Sequence, residues 1–139
     1  SKIREYFKND LKGKKMAVWG LAFKPNTDDI REAPALEIID VLLKEGVTIS
    51  AYDPEAMNNV KQVLGDKISF PDNQYDCLKD ADALIIATEW NEFRTPDFLR
   101  IVSNLKRKVI FDGRNLFDVY AIRELGFYYE SIGRPVVGK

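Results

Sequence analysis

The sequence predicts an α/β fold in three layers: a mainly parallel sheet of five or six strands with helices on both faces. Three observations predict it. Strand and helix signals alternate along the chain, which argues for right-handed βαβ units. Two strand candidates, residues 16–19 and 83–87, are apolar at every position, as expected of strands covered on both sides. Helix candidates stop at Gly46, Gly65 and Gly126, and strand signals resume soon after each.

At the amino terminus, Ile3, Tyr6, Phe7 and Leu11 fall at helical spacing, so residues 2–11 read as the last turns of a helix. This helix has no place in the alternation. It is either a terminal helix lying on the sheet or a severed interdomain connection. Residues 16–19, bounded by lysines and Gly20, form the first strand. From Pro34 onward Ala35, Ile38, Ile39 and Leu42 recur at i, i+3, i+4 and i+7, with Pro34 suited to a first helical turn. Residues 47–52 are the second strand, closed by Asp53-Pro54. Residues 55–64 make a weaker helix, 68–70 a short third strand and 75–80 a short helix. The fourth strand covers 83–87, followed by a helix over 96–105. The fifth strand covers 109–111, a helix 116–125, and 127–131 adds a final edge strand.

In the common doubly wound order 3-2-1-4-5 these elements make a Rossmann-like domain. Winding reverses between the first and fourth strands, and ligands bind beyond the carboxyl ends of strands at such a point. The segments to examine are therefore 20–33, 88–93 and 112–115.

A chain of 139 residues fits one compact domain. An apolar share of 45% and a charged share of 31% suit a folded globular protein. The formal net charge of −1 argues against a nucleic-acid partner. No apolar run approaches the roughly 18 residues of a membrane span, and Ser-Lys-Ile-Arg lacks an apolar signal core, so no membrane partner is expected. The single cysteine, Cys77, excludes an internal disulfide and suits a reducing cytoplasm. There is no histidine, which removes the commonest general base and zinc ligand, and no metal site is expected.

The 20–33 connection is long beside the about two to six residues usual for a βα loop, and long loops at a strand's carboxyl end are often functional. Lys24 can reach an anion in the crevice, and Arg31 lies near the start of the next helix, where guanidinium and helix dipole both suit a phosphate. The alternative is that both merely pair with Asp28, Asp29 or Glu32 on a solvated loop. Asp112-Gly113-Arg114-Asn115 follows the fifth strand. Gly113 permits a tight turn that projects Arg114 over the same edge, though an Arg capping a neighbouring carboxylate is the plainer reading. Two cationic loops on one edge suit a diphosphate, which needs more than one donor in fixed geometry.

Other sites fail. Gly20 stands alone where a G-x-G-x-x-G fingerprint needs three glycines, so Asp53 reads as a turn cap rather than a ribose-binding acid. Cys77 has no base to activate it and reads as a small core hydrophobe. Glu89 and Glu92 flank Trp90 as a carboxylate pair without a surrounding constellation, and Trp90 and Phe93 read as packing or stacking groups. A receiver domain would need carboxylates after the first strand and a lysine after the fifth, where Trp19-Gly20 and Asp112-Gly113-Arg114 stand instead.

The run Val18-Trp19-Gly20-Leu21-Ala22-Phe23-Lys24-Pro25-Asn26-Thr27-Asp28-Asp29-Ile30-Arg31-Glu32-Ala33-Pro34 resembles the opening signature of the C-terminal domain in the UDP-glucose/GDP-mannose dehydrogenase family. Tyr52-Asp53-Pro54, Ala87-Thr88-Glu89-Trp90 and Phe111-Asp112-Gly113-Arg114-Asn115 resemble that domain's later motifs in the same order, so the likeness spans residues 12–133. The wording is most similar to bacterial UDP-glucose 6-dehydrogenases, with GDP-mannose and UDP-N-acetylmannosamine dehydrogenases as alternatives. A non-catalytic Rossmann-like binding or assembly module is a further alternative. The resemblance implies that Phe23, Lys24 and Arg114 bind the UDP-sugar and that Arg31 reaches an NAD held by an N-terminal Rossmann domain. It implies two NAD-dependent oxidations at C6 through a covalent cysteine intermediate, with that cysteine elsewhere and Cys77 not matching it. It implies that residues 1–11 end an interdomain helix, that 12–139 form the nucleotide-sugar-binding domain, that this part alone is inactive, and that the full enzyme is a homodimer.

Overall fold

A computed structural model describes residues 2–131, 134 and 136–138. Residues 1 and 139, at the ends of the two expected segments, lie outside the described residues. Five strands form one all-parallel sheet: β1 (Lys15–Trp19), β2 (Thr48–Tyr52), β3 (Ala83–Ile86), β4 (Val109–Asp112) and β5 (Tyr128–Ser131), in the order β2-β1-β3-β4-β5. This is the expected winding with its reversal between β1 and β3. The expected third strand at 68–70 shrinks to one parallel bridge, Ser69 beside Ser50, with Ser69 N–H on Ile49 O and Ala51 N–H on Ser69 O. A 3₁₀ turn (Gly65–Lys67) precedes it, and Pro71, which has no N–H, follows, so the ladder has no room to extend.

The strands alternate their side chains between two cores. Met16, Val18, Ile49, Ala51, Ile85 and Phe111 face one helical layer, built from α1 (Lys2–Tyr6), α2 (Pro34–Lys44) and α3 (Met57–Leu64). Ala17, Trp19, Leu84, Ile86 and Ile110 face the other, where Cys77 and Leu78 of a 3₁₀ turn join α4 (Asn91–Arg94), α5 (Phe98–Asn104) and α6 (Val119–Glu124). Burial on both faces is why residues 16–19 of β1 and all of β3 are apolar.

Helix α2 starts at Pro34 and delivers Ala35, Ile39 and Leu42 to the core, as the periodicity predicts. Several helices start later or end earlier than expected, α3 at Met57 rather than 55 and the 75–80 helix as a 3₁₀ turn over Asp76–Leu78 among them, and three do so for evident local reasons. Asp97 and Asp118 cap α5 and α6 by accepting backbone N–H groups, which sets their starts two or three residues inside the expected spans. Helix α1 ends at Tyr6 rather than Leu11, because Lys8 and Asn9 adopt positive φ. Phe7 and Leu11 nevertheless remain buried. The helix lies on the sheet, with the Tyr6 ring 4.4 Å from Tyr128 and 5.9 Å from Phe111, and Arg4 bonded to Glu45.

Candidate functional site at the carboxyl edge of the sheet

The loop after β1 begins in a crowded corner. Gly20 takes φ +97°, and a Cβ there would sit 2.5 Å from Thr88 Cβ, so only glycine fits. Thr88 Oγ1 donates to Ala22 O at 2.9 Å and pins the first turn to the end of β3. Asp53, fully buried after β2, accepts four backbone N–H groups. Leu21 and Ala22 donate to one oxygen, at 2.7 and 3.1 Å; Glu55 and Ala56 donate to the other, both at 2.8 Å. The turn-capping role is therefore only half of its function: the same carboxylate also ties down the site loop. Phe23 N–H on Asp29 O closes the loop, which leaves the Phe23 ring 45% exposed and Lys24 at the surface.

A second buried aspartate organises the turn after β4. Asp112 accepts Arg114 N–H at 2.8 Å on one oxygen; Leu116 N–H at 2.7 Å and Tyr129 O–H at 2.6 Å share the other. Tyr129 O–H in turn accepts from Arg134 at 2.7 Å, and its pKa is pushed up by burial and by its bond to Asp112. Gly113 serves close approach rather than a special turn: its N–H bonds Ile86 O, and a Cβ would lie 3.3 Å from that oxygen, while Asn115 takes the positive φ.

These two turns converge. Arg114 Nη2 reaches Phe23 O at 3.4 Å, and Arg114 Nε is ion-paired with Glu89 Oε2 at 2.8 Å, so one guanidinium touches the loops after β1 and β3 from its own place after β4. Lys24, beside Phe23, makes no ion pair within 4.0 Å among the described residues, although its charge helps to lower the Asp29 pKa. From Arg114 a groove of about 620 Å³ runs between α1 and α2 over Ile85 and Phe111, lined by Ile38 and Val41.

Arg31 stands apart from this convergence. Both Asp29 oxygens engage it, at 2.9 and 3.0 Å, and the Arg31 bonds hold the Asp29 carboxyl down to about 2. Its side chain remains 87% exposed. The supposed carboxylate pair also divides: Glu89 takes Arg114, whereas Glu92 accepts Tyr52 O–H at 3.3 Å. Phe93 stacks on Trp19 at 5.0 Å and Trp90 is buried, so both are packing residues. Cys77 is fully buried with its thiol pushed up to about 12 by burial, an inert core group. At the end of β1, Thr88 fills the space beside Gly20, and both Asp53 oxygens are taken by backbone N–H groups.

Residues 17–119 match the family model described as the UDP-binding domain of the UDP-glucose/GDP-mannose dehydrogenase family. The chain belongs to this family. It is 42% identical to a UDP-glucose 6-dehydrogenase of Pseudomonas aeruginosa, over 98% of the chain and 31% of that protein. It is also 42% identical to one from Bacillus subtilis, over 91% of the chain and 28% of that protein. The chain therefore spans less than a third of the length of these relatives. Among solved structures it resembles a UDP-glucose dehydrogenase of Pyrobaculum islandicum, with TM-score 0.76 and 34% identity, covering 93% of this chain and 27% of that one. Among the described residues no helix is long and apolar enough to cross a membrane.

Proposed function

We propose that this chain is the nucleotide-sugar-binding unit of an NAD-dependent UDP-glucose 6-dehydrogenase, which converts UDP-glucose to UDP-glucuronate with two NAD. The observation that carries the reading is the contact of Arg114 with the Phe23 carbonyl, because it sets the cationic turn after β4 against the loop that bears Lys24. Lys24 and Arg114 bind the diphosphate, and the exposed Phe23 ring packs on the nucleotide sugar. Binding energy from this remote, charged part of the substrate fixes where the reacting C6 lies, which is how a domain without a nucleophile contributes to rate.

The oxidation itself, with its cysteine and NAD, falls to other parts of the enzyme. NAD is held mainly by the other part of the enzyme, and Arg31, exposed on its loop, approaches it from this one. Residues 1–11 end the interdomain helix, 12–139 form the binding domain, and the full enzyme is a cytoplasmic homodimer. UDP-glucose is favoured over UDP-N-acetylmannosamine because relatives named for the former reach 42% identity, against 28% for a solved UDP-N-acetylmannosamine dehydrogenase.

Calorimetric titration of the 139-residue chain with UDP, with size-exclusion chromatography alongside, tests the reading. One saturable site per chain is expected, weakened at least about tenfold by Arg114→Ala. Absence of a UDP site, or unchanged affinity in the variant, overturns it.

A further inference from the structure

We propose that Glu89 is a positioning residue: it holds the Arg114 guanidinium side-on, so that the end of its fork faces an incoming nucleoside diphosphate. The inference rests on the reading of Arg114 as a phosphate ligand and adds a residue that acts only through it.

The argument starts from rigidity. Glu89 follows Thr88, which is buried and bonded to Ala22 O, and Ala87 N–H continues the ladder onto Trp19 O. The backbone carrying the Glu89 carboxylate is therefore fixed at the end of β3. Arg114 is a long side chain on an exposed turn, and left alone it would sample many rotamers. One Glu89 oxygen is ion-paired with its Nε at 2.8 Å, and the Phe23 carbonyl accepts a hydrogen bond from Nη2 at 3.4 Å.

This mode of pairing matters. A carboxylate gripping both terminal nitrogens would occupy the edge that a phosphate needs for bidentate contact. Side-on pairing through Nε leaves that edge to the ligand while holding the guanidinium plane. The side chains remain 34% and 29% exposed, so an anion can reach the pair. Ordering one rotamer-rich side chain in advance is worth about two- to tenfold in affinity. Glu92 does not share the task, being engaged with Tyr52.

UDP titrations of the unaltered chain, Glu89→Ala, Glu89→Gln, Arg114→Ala and the Glu89→Ala/Arg114→Ala double variant test this, with thermal midpoints measured to show that each is folded. Glu89→Ala should weaken UDP binding by about three- to tenfold. Glu89→Gln keeps the size but removes the charge of the ion pair and should lose about as much as Glu89→Ala, whereas a general charge effect would tighten anion binding. In the Arg114→Ala background, Glu89→Ala should have no further effect. Tighter binding by Glu89→Ala would mean that the carboxylate competes with the phosphate, and an additive loss in the double variant would mean that it acts elsewhere; either overturns the proposal. UDP binding that needs Arg114 but ignores Glu89 overturns the positioning role alone, whereas an unaltered chain with no UDP site removes the underlying reading as well.

Discussion

Asp53→Asn isolates a single physical effect, because the substitution barely changes size and leaves the packing around a fully buried side chain intact. The carboxylate has two acceptor oxygens and serves two backbone N–H groups with each. Asparagine retains one oxygen. Its amide nitrogen must face either Leu21 and Ala22 or Glu55 and Ala56, so two donors lose their acceptor and meet a third. Each buried polar group left unpaired costs about 1–3 kcal/mol, giving a total of about 2–6 kcal/mol. A domain of ordinary stability has about 5–15 kcal/mol in hand, so the variant should fold but be markedly weakened. Urea denaturation measures this as a lower midpoint at unchanged slope. Loss of less than about 0.5 kcal/mol, the range of a neutral surface change, would refute the claim that Asp53 holds the start of the site loop and the turn into α3 through both oxygens.

Three other outcomes are expected. Lys24→Ala in a complete dehydrogenase carrying this domain should lower kcat/KM at least about tenfold, equivalent to about 1.4 kcal/mol; an unchanged value in steady-state assays removes Lys24 from the site. Gly20→Ala should destabilise the chain by at least about 2 kcal/mol in the same urea assay, because it joins a positive φ to a Cβ 2.5 Å from Thr88. Alkaline pH should cost stability through Cys77, whose folded pKa of about 12 lies above its ordinary value of 9.0. The contribution of the neutral thiol is full below pH 9 and is lost as pH rises toward 12, so the stability gap between the unaltered chain and Cys77→Ala should narrow across that window; a constant gap in urea titrations at pH 8 and 11 would contradict this.

Hydrophobic pattern alone determined the layers and the parallel character of the sheet, whereas its winding order follows from the commonest doubly wound arrangement rather than from the pattern. Burial on one face or both is written locally, residue by residue, as in the apolar runs 16–19 of β1 and 83–86 of β3. The pairing of Arg31 with Asp29 was equally open to reading, since only Ile30 separates them. Boundaries were less legible wherever a polar cap intervened, as at Asp97 and Asp118, and a single bridge at Ser69 replaced a strand whose neighbours deny it hydrogen bonds. Tertiary structure alone decided that Glu89 meets Arg114 and that Asp53 spans two loops. It also decided that Gly20 exists to make room for Thr88 and that Gly113 exists to approach Ile86. These contacts join residues that are distant in sequence. Which of several exposed charges or small residues become partners depends on the strand order and the course of each loop end, and local periodicity carries no term for either.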